Sequence, residues 1–147
     1  MFSLNGKIAF ITGSSRGIGL GIARALARQG ADLRLSAVHR EGLDAAVAEL
    51  ARDFPERDIR GIPCDVTSGE SVAAAMAAIE SSGGLHILVN NAGINLRAPV
   101  EDMPDELWHR MLDTDVTGVF RISRAALPLL PGRTPSSPPA RGTAPCA

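Results

Sequence analysis

The sequence contains no tyrosine, a single lysine (Lys7), one tryptophan and two cysteines in 147 residues. Cys64 and Cys146 are too few for a disulfide framework, and neither has the neighbours of a metal site. Cys64 ends an apolar run and reads as a small buried residue. The three histidines, His39, His86 and His109, share no repeated spacing, so no metal centre is expected. Charge of one sign is also missing: the formal net charge is −1, which gives no reason to expect nucleic acid or an acidic lipid surface as partner. No apolar run is long enough to span a bilayer, and Met1 to Lys7 lack the charged and apolar regions of a signal peptide. The expectation is a cytoplasmic protein. What remains, 45% hydrophobic and 21% charged residues, is an ordinary globular balance at a length suited to one domain.

Short apolar runs alternate with helical periodicity along most of the chain. Ile8-Ala9-Phe10-Ile11 reads as a strand buried on both faces, as parallel strands are. From Gly17 to Gln29, Ile18, Ile22 and Leu26 recur every four residues and predict a helix face, with Gly30 as its stop. Leu33-Arg34-Leu35-Ser36 is a second, weaker strand. Leu43, Val47, Leu50 and Ala51 mark the next helix face, and Ile59 to Cys64 a third strand. Ser68 precedes a helix that places Val72, Met76 and Ile79 together, and His86-Ile87-Leu88-Val89 is a fourth strand. Two helical stretches follow, about Pro104 to Leu112 and about Asp115 to Leu127. Strands alternating with helices imply right-handed crossovers and a doubly wound, Rossmann-like α/β parallel sheet.

Beyond Leu127 the pattern stops. Pro128 to Pro139 holds five of the chain's ten prolines and has no apolar period. The expected organisation is therefore one dinucleotide-binding domain over 1–130, with 131–147 a disordered proline-rich tail.

The loop between the first strand and first helix reads Thr12-Gly13-Ser14-Ser15-Arg16-Gly17-Ile18-Gly19. Gly13 permits a tight turn out of the strand. Gly17 and Gly19 let backbone approach a phosphate and let the helix pack on the sheet, while the helix N-terminus offers free N–H groups to an anion. A glycine-rich turn with no ligand is the alternative, but the preceding strand and following amphipathic helix are the context a pyrophosphate site requires.

This loop, then Cys64-Asp65-Val66-Thr67, then Asn90-Asn91-Ala92-Gly93 resemble in order and spacing the successive signatures of the short-chain dehydrogenase/reductase family, from about residue 4 to about 130. The resemblance implies that Gly13, Ser15, Arg16, Gly17, Ile18 and Gly19 hold the cofactor's pyrophosphate. It also implies that Asp65 contacts the adenine with Val66 beside it, that Asn91, Ala92 and Gly93 pass close to a cofactor ribose, and that Asn90 braces the sheet. Asp65 as a turn residue and the Asn pair as loop structure are the bland alternatives.

A carboxylate at the end of the second strand would select NAD by accepting the ribose 2′-hydroxyl. Ser36-Ala37-Val38-His39-Arg40 supplies none, and Asp32 lies too early in the strand to reach. Arg16 and Arg40 are cations suited to a 2′-phosphate, with solvated surface charge as the alternative. The expected cofactor is NADP rather than NAD.

Chemistry in the family, as the resemblance implies, rests on an Asn, a Ser, a Tyr and a Lys, the Tyr acting as proton donor or acceptor at the substrate oxygen. Asp115 stands at the Asn position, nearly isosteric but lacking the amide donor. The chain has no Tyr, its one Lys precedes the first strand, and Ser136 and Ser137 lie in no strand context, so no catalytic residue is assigned. The family's usual length is nearer 250 residues, and the tail is rich in Arg, Pro, Ala, Gly, Ser and Thr, as GC-rich DNA read out of frame would be. The expectation is a frameshifted or truncated product, its fourth strand an open edge and its stability marginal.

Two functions follow. One is an NAD(P)-dependent oxidoreductase acting on a carbonyl or alcohol, inactive as this chain alone; Asn91 to Pro99 resembles sugar-acid members such as gluconate 5-dehydrogenases. The other is a non-catalytic NAD(P)-binding module or sensor. The helix carrying Val116, Val119 and Phe120 commonly belongs to the family's subunit interface, which makes a homo-oligomer one expected assembly.

Overall fold

The computed structural model describes residues 3–132, so most of the expected tail lies outside the described residues. Four parallel strands form one sheet in the order β3-β2-β1-β4, with β1 at Ile8–Ile11, β2 at Asp32–Leu35, β3 at Ile59–Gly61 and β4 at Ile87–Val89. The connecting helices are α1 (Gly17–Arg28), α2 (Arg40–Asp53) and α3 (Gly69–Ser81); α4 (Asp105–Leu112) and α5 (Gly118–Ala126) follow β4.

Alternation along β1 divides the core. Ala9 and Ile11 pack with Ala23, Ala27, Leu43, Ala46 and Leu50 from α1 and α2. Phe10 points the other way, into a cluster with Val72, Met76 and Ile79 of α3 and Ile122 and Ala126 of α5. Both faces of the sheet are thus covered, which explains why β1 is apolar at every position.

The expected face of α1 is corrected. Gly19, Ala23 and Ala27 are the buried residues, and Ile18 is 78% exposed. Period-four counting picks out the largest apolar side chains; of these Leu26, with Leu20, is partly buried against the core, while the fully buried positions of α1 hold only small residues. In α3 the expected Val72, Met76 and Ile79 are all buried, and the Ser68 hydroxyl accepts from the Ser71 N–H as an N-cap.

β3 is shorter than Ile59 to Cys64. Its edge pairing continues as isolated bonds, Ile62 N–H to Leu35 O at 2.8 Å and Cys64 N–H to Ala37 O at 3.1 Å. Pro63 stands between them and has no N–H to give.

β2 is weaker in hydropathy because it carries Arg34, which is 1% exposed and paired in register with Phe10. Its guanidinium donates to the Ser82 hydroxyl (2.8 Å) and carbonyl (2.7 Å), to the Asp58 carbonyl (3.1 Å) and to the Asp58 carboxylate (2.9 Å). Asp58 just precedes β3 and Ser82 just follows α3, so the arginine ties together the end of the sheet opposite the strand C-termini. A buried cation is tolerated only when its donors are met in this way.

α4 and α5 are joined by a π-helical turn at Asp113–Thr117 rather than a break. Among the described residues no helix is long and apolar enough to cross a membrane, and no group of His, Cys, Asp or Glu could hold a metal ion.

Candidate functional site

The C-terminal ends of the strands frame a solvent-open cleft of about 1120 Å³. It is lined by Gly13, Ser15, Arg16, Gly17, Ile18 and Gly19 after β1, by Ala37, Val38 and His39 after β2, by Cys64 to Thr67 after β3, and by Asn91 to Ile94 after β4. Arg110, Asp113 and Thr114 close the β4 end. The expected loop residues, Asp65 and Val66, and Asn91 to Gly93 thus border one cavity, at the place where ligands bind in open α/β sheets.

The glycine loop owes its shape to two close approaches. Gly13 has φ +64, and a Cβ there would lie 2.8 Å from the Ala92 Cα. At Gly19 a Cβ would come within 2.4 Å of the Gly13 carbonyl oxygen and 2.5 Å of Asn91 Nδ2. The first turn of α1 consequently sits directly on the loop. No acidic residue occupies that turn, and its N-cap residue Arg16 makes no side-chain capping bond. The free N–H groups and positive end of the helix dipole therefore face the cleft uncompensated.

Thr12 and Asn91 lock the first and third motifs together. The Thr12 hydroxyl accepts from the Asn91 and Ala92 N–H groups, each at 3.0 Å. The Asn91 amide donates back to the Thr12 carbonyl at 3.0 Å and the Gly13 carbonyl at 2.9 Å. Bracing is thus done by Asn91, whereas Asn90 donates to the Ser123 hydroxyl of α5 at 3.0 Å. Ser14, fully buried, donates to the Ile11 carbonyl and accepts from the Ser36 N–H, each at 2.8 Å, fixing the loop to the end of β2. The Thr12 and Ser14 roles were not read from the sequence. A hydroxyl residue directly after an apolar strand was the available signal.

Asp65 accepts from the Thr67 N–H (2.9 Å) and hydroxyl (2.7 Å) through one carboxylate oxygen, the local turn that a bland reading anticipates. It borders the cleft all the same. Val66 is buried, and its carbonyl accepts from Arg121 at 2.9 Å while the same guanidinium pairs with Asp113 at 3.1 Å. Arg121 holds the β3 loop to the π-turn, a long-range role that no local pattern reveals. Burial pushes the Cys64 thiol up to about 11, so this cleft residue is a neutral thiol.

Asp115 lies on the π-turn, where its Oδ1 accepts from the Ile94 N–H at 2.8 Å. An Asn oxygen could accept the same bond, which is how the substitution fits.

Around the end of β2 the cleft carries two carboxylates: Glu49, paired with Arg24, which also binds Asp53, and Asp65, next to the Cys64 that bonds Ala37. Arg16 is exposed and borders the cleft; Arg40, the first residue of α2, is exposed but does not border it.

The family model for short chain dehydrogenases matches residues 7–137. The chain belongs to the short-chain dehydrogenase family. Gluconate 5-dehydrogenase of Gluconobacter oxydans is 40% identical over 126 residues, 85% of this chain and 48% of that protein. D-beta-hydroxybutyrate dehydrogenase of Cupriavidus necator is 41% identical with the same coverage. The solved structure of L-sorbose reductase from Gluconobacter frateurii, complexed with NADPH and L-sorbose, is 36% identical with a TM-score of 0.81 over 86% of this chain and 48% of that one. The chain thus spans about half the length of the curated relatives it matches.

Proposed function

We propose that the cleft binds a nicotinamide dinucleotide, NADP in preference to NAD, and that these 147 residues bind it without turning over a substrate. The observation that carries the reading is the uncompensated N-terminus of α1, set directly on a loop that bends at Gly13 and facing a cleft large enough for a dinucleotide. Gly13 to Gly19 would hold the pyrophosphate, Asp65 and Val66 the adenine, and Asn91, Ala92 and Gly93 the second ribose. The NADP preference is supported by Arg16 at the cleft, by the lack of an acid among Ser36 to Arg40 after β2, and by the NADPH held by the sorbose reductase.

When bound, the cofactor would supply hydride chemistry. The proton-transfer residues implied by the family are not matched here: the sequence has no Tyr, and Lys7 directly precedes β1, at the sheet end opposite the cleft. Substrate choice stays at the class of carbonyl or alcohol compounds, with a sugar acid favoured by the Asn91 to Pro99 segment. An exposed apolar band on α4, the π-turn and α5, including Trp108, Val116 and Phe120, supports self-association.

Titrating the protein with NADPH and NADH separately, followed by ligand fluorescence or calorimetry, tests the reading. Tighter NADPH binding is expected; tighter NADH binding overturns the preference, and no binding of either overturns the site. Steady turnover of a panel of ketones with NADPH would refute the absence of catalysis.

A further inference from the structure

The cleft wall that follows β3 is held in place by a residue that does not border the cleft. Within the wall, one oxygen of the Asp65 carboxylate accepts from the Thr67 N–H at 2.9 Å and from the Thr67 hydroxyl at 2.7 Å. That N–H belongs to the peptide joining Val66 to Thr67. The carbonyl of the same peptide accepts from the Arg121 guanidinium at 2.9 Å, and Arg121 pairs in turn with Asp113 at 3.1 Å. One peptide is thus fixed at both ends, by Asp65, which lines the cleft, and by Arg121 of α5, which does not. α5 also begins hard against this wall: a Cβ on Gly118 would lie 2.7 Å from Val66 Cγ2. Packing there fixes the Val66 side chain, while the Arg121 bond fixes which way its carbonyl points. Among the described residues only one oxygen of Asp65 is hydrogen-bonded within the protein, which leaves the other for a donor on a ligand.

We infer that Arg121 is a positioning residue for nucleobase recognition: by holding the Val66–Thr67 peptide it aims the Asp65 carboxylate at the adenine of the cofactor. The inference rests on the dinucleotide reading above, which puts the adenine at Asp65 and Val66. Adenine offers a 6-amino donor, and a carboxylate oxygen held in one place is a matching acceptor. Asp65 is bonded to the peptide directly after Val66, so a rotation of that peptide would carry the carboxylate with it. The charge-assisted bond from Arg121 opposes the rotation, and the pairing with Asp113 keeps the guanidinium from swinging away. Arg121 therefore acts on the ligand through Val66 and Asp65 rather than by contact.

The test compares NADPH with its deamino analogue, in which a carbonyl oxygen replaces the 6-amino group of the base, by calorimetry on the wild type, Arg121→Met and Arg121→Lys. Methionine keeps an apolar stem and removes every donor. Lysine keeps a cation and a donor but not the planar fork that spans the Val66 carbonyl and Asp113 together. The wild type is expected to prefer NADPH to the analogue. In Arg121→Met that preference should shrink about threefold to tenfold, the scale of one hydrogen bond to a charged group, and Arg121→Lys should fall between the two. A role confined to stability would lower the number of binding sites per chain, or weaken both ligands alike, and leave the ratio where it was. An unchanged ratio in either variant therefore overturns the inference, as does an equal loss for both ligands. If the wild type binds neither ligand the dinucleotide reading falls, and if it binds both equally the placing of adenine at Asp65 falls; the inference falls with either.

Discussion

The side-chain amide of Asn91 donates to the Gly13 carbonyl at 2.9 Å, across 78 residues of sequence, and to the neighbouring Thr12 carbonyl at 3.0 Å. Asn91→Asp puts a carboxylate against two carbonyl oxygens and removes both donors. A loss of about 1–3 kcal/mol in unfolding free energy is expected, with weaker NADPH binding because the loop is no longer held. Urea unfolding with and without NADPH measures both; an unchanged midpoint would mean that the loop is held by Thr12 alone.

Gly19 and Gly21 lie two residues apart on α1 and should respond oppositely to alanine. At Gly19 the new methyl meets the Gly13 carbonyl at 2.4 Å, whereas at Gly21 it meets nothing within 4 Å. Gly19→Ala should cost about 1–3 kcal/mol and abolish cofactor binding; Gly21→Ala should add about 0.5–1 kcal/mol through helix propensity. Thermal melts of the two variants side by side check the pair.

Arg16→Ala should weaken NADPH about tenfold, the scale of one lost hydrogen bond to a charged group, and leave NADH within about twofold. Equal losses for both cofactors would move Arg16 from the 2′-phosphate to the pyrophosphate.

Much of this arrangement was legible in the sequence, for physical reasons that differ by element. β1, β4 and α3 announce themselves because strands covered on both faces must be apolar throughout and because Val72, Met76 and Ile79 can share a face only at helical spacing. The eleven expected residues that line the cleft are legible as motifs because a tight turn against a helix start demands glycine at fixed places. The buried face of α1 is not, since Gly19, Ala23 and Ala27 owe their burial to closeness of packing rather than to hydrophobicity. Nor is Arg34, whose partners Asp58 and Ser82 come from two distant segments that the fold alone brings together. The π-turn at Asp113–Thr117 is likewise invisible, because it adds a wider turn without breaking the helical pattern.

Asp58 links stability to acid. The Arg60 guanidinium, and behind it Arg34, hold its carboxyl below the usual value of 3.8. A depressed carboxylate contributes stability above its ordinary value and loses it as pH falls from there through the lower folded value. The chain should therefore lose stability as pH drops below about 4, and Asp58→Asn should flatten that part of the acid limb. Unfolding midpoints between pH 3 and 6 provide the measurement.

Arg34 and Gly19 show two ways in which this molecule can be damaged. Gly19 packs on Gly13 in the cleft wall, so its replacement alters the proposed binding site directly. Arg34 is bonded at the far end of the sheet, to Asp58 and Ser82, and borders no part of the cleft. A change there leaves each surviving molecule with normal affinity and reduces how many molecules survive. In a cell, Arg34 variants would look like low dosage and grow worse with warming, whereas in Gly19 variants even the molecules that survive the loop strain would bind poorly.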